Sequence, residues 1–212
     1  MRLIDTHSHL FLEEFSEDFP QVIERARAAG VTHIFMPNID STTIEAMLSA
    51  CSVYKGYCFP MIGLHPTSVN ANYEKELEIV ARELKFSKEY VAIGEIGMDL
   101  YWDKTYLKEQ QIVLDKQVNW ALEYDLPIVI HCRDAFDYIY KVLEPYKKTP
   151  LRGIFHSFTG TIDEAQEIIA FGGFKLGING IVTFKNSGLA AVVEQIALEH
   201  ILLETDSPYL TP

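Results

Sequence analysis

Leu3-Ile4-Asp5-Thr6-His7-Ser8-His9 reads as an apolar strand that ends in two histidines. Side chains alternate along a strand with period two, so both imidazoles point to the same side. Two neutral imidazoles at a strand end form half of a transition-metal site. A lone His-x-His is weak, because short motifs match by chance. Its meaning depends on what later strands carry at the same place.

Working outward, apolar runs at 3–10, 31–38, 57–65, 91–99, 128–133, 153–158, 174–181 and 201–206 read as eight strands. Amphipathic stretches at 18–29, 42–54, 74–86, 105–124, 135–146, 162–171 and 187–197 read as the helices between them. Ser41 and Thr161 are candidate N-caps, the latter in a capping box with Glu164. Gly30 and Gly172-Gly173 stand where a helix end wants a left-handed residue, and Pro127 stops the fourth helix. Alternating β and α elements imply a parallel sheet with right-handed crossovers. Eight repeats imply an α/β fold of the (β/α)8 TIM-barrel type. The rival, an open doubly wound sheet, wants a Gly-rich phosphate loop after its first strand, and His7-Ser8-His9 stands there instead. Residues 1–212 read as one domain. The eighth strand runs to Asp206 and the chain stops at Pro212, so the barrel is expected to lack its final C-terminal helix.

Composition narrows the class. With 48% hydrophobic residues over 212 positions, the chain buries a core without disulfide support. Its three cysteines, Cys51, Cys58 and Cys132, fit no zinc spacing and read as reduced thiols. No signal peptide and no bilayer-length apolar run is visible, so a cytoplasmic protein that neither enters a membrane nor needs an obligate protein partner is expected. A net charge of −12 argues against coating nucleic acid through a general basic surface. It leaves room for an enzyme that grips a few phosphates in a metal-containing pocket.

Functional side chains of such a barrel come from the C-terminal ends of its strands. Those ends offer His7 and His9, then His65, Glu95, His131, His156 and Asp206. Each alone has a plain reading as a polar strand terminus or turn residue. Together they place five of the seven histidines and two carboxylates on one rim. His33 and His200 lie at strand starts and read as structural. Four imidazoles and two carboxylates are too many for one ion and suit two divalent metals. A carboxylate can bridge two ions and an imidazole cannot, so Glu95 is the expected bridge. His7, His9 and Asp206 then complete one site, and His131 and His156 the other. Two such ions acidify a bridging water, with Asp206 orienting it and taking its proton. Zinc, manganese or magnesium would each serve. The same centre could attack carbon or phosphorus, so an amidase, lactonase or esterase is the alternative.

Six motifs in order now carry a resemblance. They are Ile4-Asp5-Thr6-His7-Ser8-His9-Leu10, Gly63-Leu64-His65-Pro66, Gly94-Glu95-Ile96-Gly97-Met98-Asp99, His131-Cys132-Arg133-Asp134-Ala135, His156-Ser157-Phe158-Thr159-Gly160 and Glu204-Thr205-Asp206-Ser207-Pro208-Tyr209-Leu210. The chain resembles the TatD family of metal-dependent deoxyribonucleases, in the amidohydrolase superfamily. The resemblance implies metal residues at His7, His9, Glu95, His131, His156 and Asp206, and phosphate-side residues at His65 and Arg133. It implies hydrolysis of DNA phosphodiesters, often from the 3′ end, with single-stranded or frayed ends as substrate. Two features depart from the family. Thr67 stands where many members carry a second histidine after His-Pro, and an Arg-Gly-Lys-Arg-like loop with a final helix does not follow the last motif. Arg133 is expected on a phosphate rather than paired with Asp134. Tyr101-Trp102, just past the fourth strand, is a candidate base-stacking pair.

Overall fold

A computed structural model describes residues 1–211. The strands are β1 (Leu3–Asp5), β2 (Val31–Pro37), β3 (Cys58–Met61), β4 (Ile93–Asp99), β5 (Ile128–Arg133), β6 (Gly153–Phe155), β7 (Phe174–Ile178) and β8 (Ile201–Leu203). The helices are α1 (Phe19–Ala28), α2 (Ile44–Val53), α3 (Tyr73–Phe86), α4 (Leu107–Glu123), α5 (Phe136–Leu143), α6 (Ile162–Phe171) and α7 (Leu189–Val193). All ladders are parallel, in two sheets of order β1-β2-β3 and β4-β5-β6-β7-β8.

Strand order follows chain order with no switch point, which rules out the doubly wound sheet. Two narrow seams join the sheets into a TIM-barrel-like ring. At one, Ile62 N–H donates to Ala92 and Gly94 N–H to Ile62. At the other, Thr6 N–H donates to Leu203, Asp206 N–H to His7 and His9 N–H to Ser207. The ring therefore closes by single bridges rather than full ladders. No helix follows β8 among the described residues.

Sequence pattern explains the layers. β4 is buried along its whole length, as expected of a strand covered on both faces. Amphipathic α5 turns Ile139 and Leu143 inward and leaves Asp137 and Lys141 outside. Each fully buried Leu, Ile or Met contributes about 1.5–3 kcal/mol relative to exposure. Thr161 forms the capping box with Glu164, and Gly30 and Gly172 take left-handed backbone at φ 94° and 86°. Ser41 caps nothing: α2 begins at Ile44, and the Ser41 amide and hydroxyl both donate to Glu76. All three cysteines are free. Among the described residues no helix is long and apolar enough to cross a membrane.

The clearest difference from the sequence reading is strand length. β1 ends at Asp5, β3 at Met61, β6 at Phe155 and β8 at Leu203, so His7, His9, His65, His156 and Asp206 lie beyond their strands. At the rim the chain leaves the ladders to turn side chains into the barrel mouth.

Buried Asp5 holds the β1–β8 seam there. Its carboxylate accepts from the His7 amide at 3.2 Å, the Thr205 amide at 3.0 Å and the Thr205 hydroxyl at 2.7 Å. Replacing Asp5 with Ala should destabilise the fold by about 2–4 kcal/mol, since buried donors would lose their acceptor. Urea denaturation checks it, and a midpoint equal to wild type would show the seam holds without Asp5.

Candidate metal centre

Seven side chains converge at the C-terminal end of the ring. Glu95, from the middle of β4, is at its centre and 2% exposed. Its Oε2 lies 3.1 Å from His7 Nε2 and 3.5 Å from His9 Nε2. Its Oε1 lies 2.9 Å from His131 Nδ1, 3.3 Å from His65 Nε2 and 3.7 Å from His156 Nε2. The two oxygens thus face two different sets of imidazoles. Asp206 Oδ1 stands 3.7 Å from Nε2 of each of His7, His9 and His156. Backbone at Asp206 is left-handed, φ 60°, a conformation Asp tolerates better than most residues. His7 and His156 stack with ring centroids 3.4 Å apart.

Electrostatics follows from this crowding. Burial opposes charge on Glu95, but His65, His7 and His156 outweigh it and hold the carboxyl well below its usual range. Burial, with His156 beside it, keeps His7 well below an ordinary imidazole. Burial likewise opposes charge on His156, yet Glu204, Glu95 and Asp206 together raise it to about 10. Asp206 is raised to about 6, mainly by burial. No Lys or Arg pairs with Glu95, Asp99, Glu204 or Asp206 among the described residues.

That donor set fits divalent cations. His7 Nε2 and His9 Nε2 stand 3.1 Å apart, and each lies 3.1 to 3.7 Å from Glu95 Oε2 and Asp206 Oδ1. Donors around one tetrahedral ion with bonds of about 2.1 Å stand about 3.4 Å apart. Three groups have the required convergence: His7, His9 and Glu95; His7, His156 and Asp206; and His65, Glu95 and His131.

His65 has a defined proton. Its Nδ1 accepts from the Thr67 amide at 3.2 Å and lies 2.7 Å from the Thr67 hydroxyl. A ring nitrogen that accepts a backbone N–H carries no proton, so the other, Nε2, does. His65 therefore presents an N–H to the cluster. Thr67 is what orients it.

Arg133 ends β5 at the mouth and makes no ion pair among the described residues. Its guanidinium lies 4.0 Å from the centre of the Tyr101 ring and 5.4 Å from that of Trp102. Arg133 and Trp102 border an open cleft of about 670 Å³ that reaches the cluster. His33 stacks on Phe59 and His200 sits near Glu199, both outside the cluster.

Two buried carboxylates join the cluster that sequence reading left without a role. Asp99 Oδ2 is 2.9 Å from His131 Nε2. Glu204 Oε1 accepts from the Ser157 amide at 2.5 Å and lies 3.1 Å from His156 Nδ1. Both belong to quoted motifs, and their proximity to the site residues was the only signal.

The comparisons agree with this picture. Residues 4–212 match the family model described as TatD related DNase. The chain is 37% identical over 211 residues to a metal-dependent hydrolase, YabD, of Bacillus subtilis, covering 99% of this chain and 82% of that protein. It is 32% identical over 212 residues to the 3′-5′ ssDNA/RNA exonuclease TatD of Yersinia pseudotuberculosis, covering 99% and 81%. The crystal structure of the TatD homologue YjjV from Escherichia coli superposes with a TM-score of 0.91 at 31% identity, covering 99% of this chain and 80% of the other. The chain belongs to the family of TatD related DNases and is a metal-dependent hydrolase.

Proposed function

We propose that this protein removes nucleotides from the 3′ end of single-stranded DNA by hydrolysing phosphodiester bonds, using two divalent ions. The observation that carries the reading is the Glu95 carboxylate, whose two oxygens face separate imidazole sets. His7, His9 and Asp206 would hold one ion with Glu95 Oε2, and His131 and His156 the other with Oε1. Bound there, the ions supply charge neutralisation at the phosphoryl oxygens and a water acidified toward neutral pH. Asp206 orients the attacking water and takes its proton. His65, with its proton on Nε2, donates to a phosphoryl oxygen and needs no charge to do so. Arg133 holds the neighbouring phosphate, and Tyr101 and Trp102 offer faces to unpaired bases. A TatD exonuclease relative at 32% identity supports the nucleic-acid substrate and its polarity.

Digestion of 5′-labelled single-stranded DNA, with and without chelator, tests the reading. A ladder shortening one nucleotide at a time, abolished by chelator and restored by zinc, manganese or magnesium, is expected. No digestion with any of these, alongside turnover of chromogenic amides or lactones, would replace it with a carbonyl hydrolase.

Arg133→Ala should raise KM about tenfold and leave kcat within about threefold, because the guanidinium contributes ground-state binding. Loss of one phosphate contact should flatten the dependence of log kcat/KM on log salt by about 0.7. An unchanged salt slope would remove Arg133 from the phosphate.

A further inference from the structure

Asp99 is the last residue of β4, 3% exposed, and each of its carboxylate oxygens has a separate task. Oδ2 meets His131 Nε2 at 2.9 Å, on the far side of the ring from Glu95. Oδ1 accepts from the amides of Tyr101 at 3.0 Å and Trp102 at 3.4 Å. The backbone of Asp99 is itself clamped by buried Gln110 of α4, whose amide accepts from Asp99 N–H at 2.9 Å and donates to Asp99 O at 3.1 Å. Tyr101 and Trp102, meeting edge to face, in turn carry Arg133. One fixed carboxylate therefore touches both the cluster and the loop that borders the cleft.

We propose that Asp99 is a positioning residue: it holds the His131 proton on Nε2, freeing Nδ1 toward the cluster, and sets the Tyr101–Trp102 arm over Arg133. The inference rests on the metal reading for its first half only. A carboxylate behind an imidazole fixes its tautomer and ring orientation, and losing it typically costs 10–100-fold in metal affinity. The second half is independent of any ion. Without Oδ1 the two adjacent amides lose their acceptor, and the exposed aromatic pair loses its register to β4 and β5.

The test uses Asp99→Ala and Asp99→Asn, each in a Trp120→Phe background that leaves Trp102 as the single tryptophan. Zinc affinity is read by competition with a chromophoric chelator, and the arm by acrylamide quenching of Trp102. Asp99→Ala is expected to bind at least one zinc ion 10–100-fold more weakly and to quench more readily. Asp99→Asn can keep an oxygen on the two amides while presenting an NH2 to His131. It is expected to lose zinc affinity with wild-type quenching, a split that general unfolding cannot produce. Should Asp99→Ala fail to fold, Asp99→Asn carries the test alone. Wild-type zinc affinity in Asp99→Asn would overturn the first half, and wild-type quenching in Asp99→Ala the second. A wild-type protein that binds no divalent ion would overturn the metal reading with the first half and leave quenching to decide the second.

Discussion

Glu95→Gln should lower kcat/KM by at least about a thousandfold and reduce bound metal from two ions to one or none. The substitution keeps volume and one oxygen but removes the charge and the second acceptor. Only a carboxylate can offer equivalent lone pairs to both imidazole sets, and Glu95 is the one group within 3.7 Å of His7, His9, His65, His131 and His156 together. Removing a single preorganised electrostatic contact at a reacting centre costs about 10²–10³ in kcat, and in the proposed two-ion arrangement both sites would lose a ligand together. Stability should respond as well. Glu95 is part of what raises His156 and His131, so in metal-free protein its loss leaves buried imidazolium without its central counter-charge. Breaking such a buried pair costs about 3–5 kcal/mol. Metal analysis of purified protein, with turnover of labelled DNA and a thermal melt, checks all three. Two bound ions with more than a tenth of wild-type turnover would remove Glu95 from the bridging position.

The barrel order was legible because period-two apolar runs and period-3.6 stretches alternate without interruption, and 128–133 coincides with β5 to the residue. The rim was legible because His and acidic residues end apolar runs. Strand ends were not, since a residue that leaves the ladder to face the mouth, such as His156 or Asp206, keeps the same local pattern as one that stays. Asp5, Asp99 and Glu204 were hidden for another reason. Thr205, His131 and Ser157, the partners that give them a role, lie 200, 32 and 47 residues away and become neighbours only when the strands assemble. Ser41 misled because its hydroxyl found Glu76, 35 residues on, in place of a helix amide.

Gly97→Ala should destabilise the protein by at least about 3 kcal/mol and abolish activity. Gly97 stands between Glu95 and Asp99 and pairs in register with His131 across the β4–β5 ladder. Its φ of 135° is one that residues with a Cβ rarely adopt, at a cost of about 1–2 kcal/mol. A Cβ there would also run into the His131 carbonyl oxygen, 2.9 Å from its carbon and 3.0 Å from the His131 nitrogen. Backbone inside a ladder cannot give way as a side-chain tip can, so overpacking adds about 1–3 kcal/mol. The forced movement falls on His131, which must stay within 2.9 Å of both Glu95 and Asp99. Gly172→Ala supplies the comparison: φ is 86° there, but nothing lies within 4 Å of the added methyl. That variant should lose only the backbone cost, about 1–2 kcal/mol, with activity intact. For a chain of this size each kcal/mol lowers Tm by about 2–4 °C. Gly97→Ala should therefore melt at least about 6 °C below wild type and clearly below Gly172→Ala. Equal melting of the two variants would mean that β4 and β5 are not closely paired at the centre.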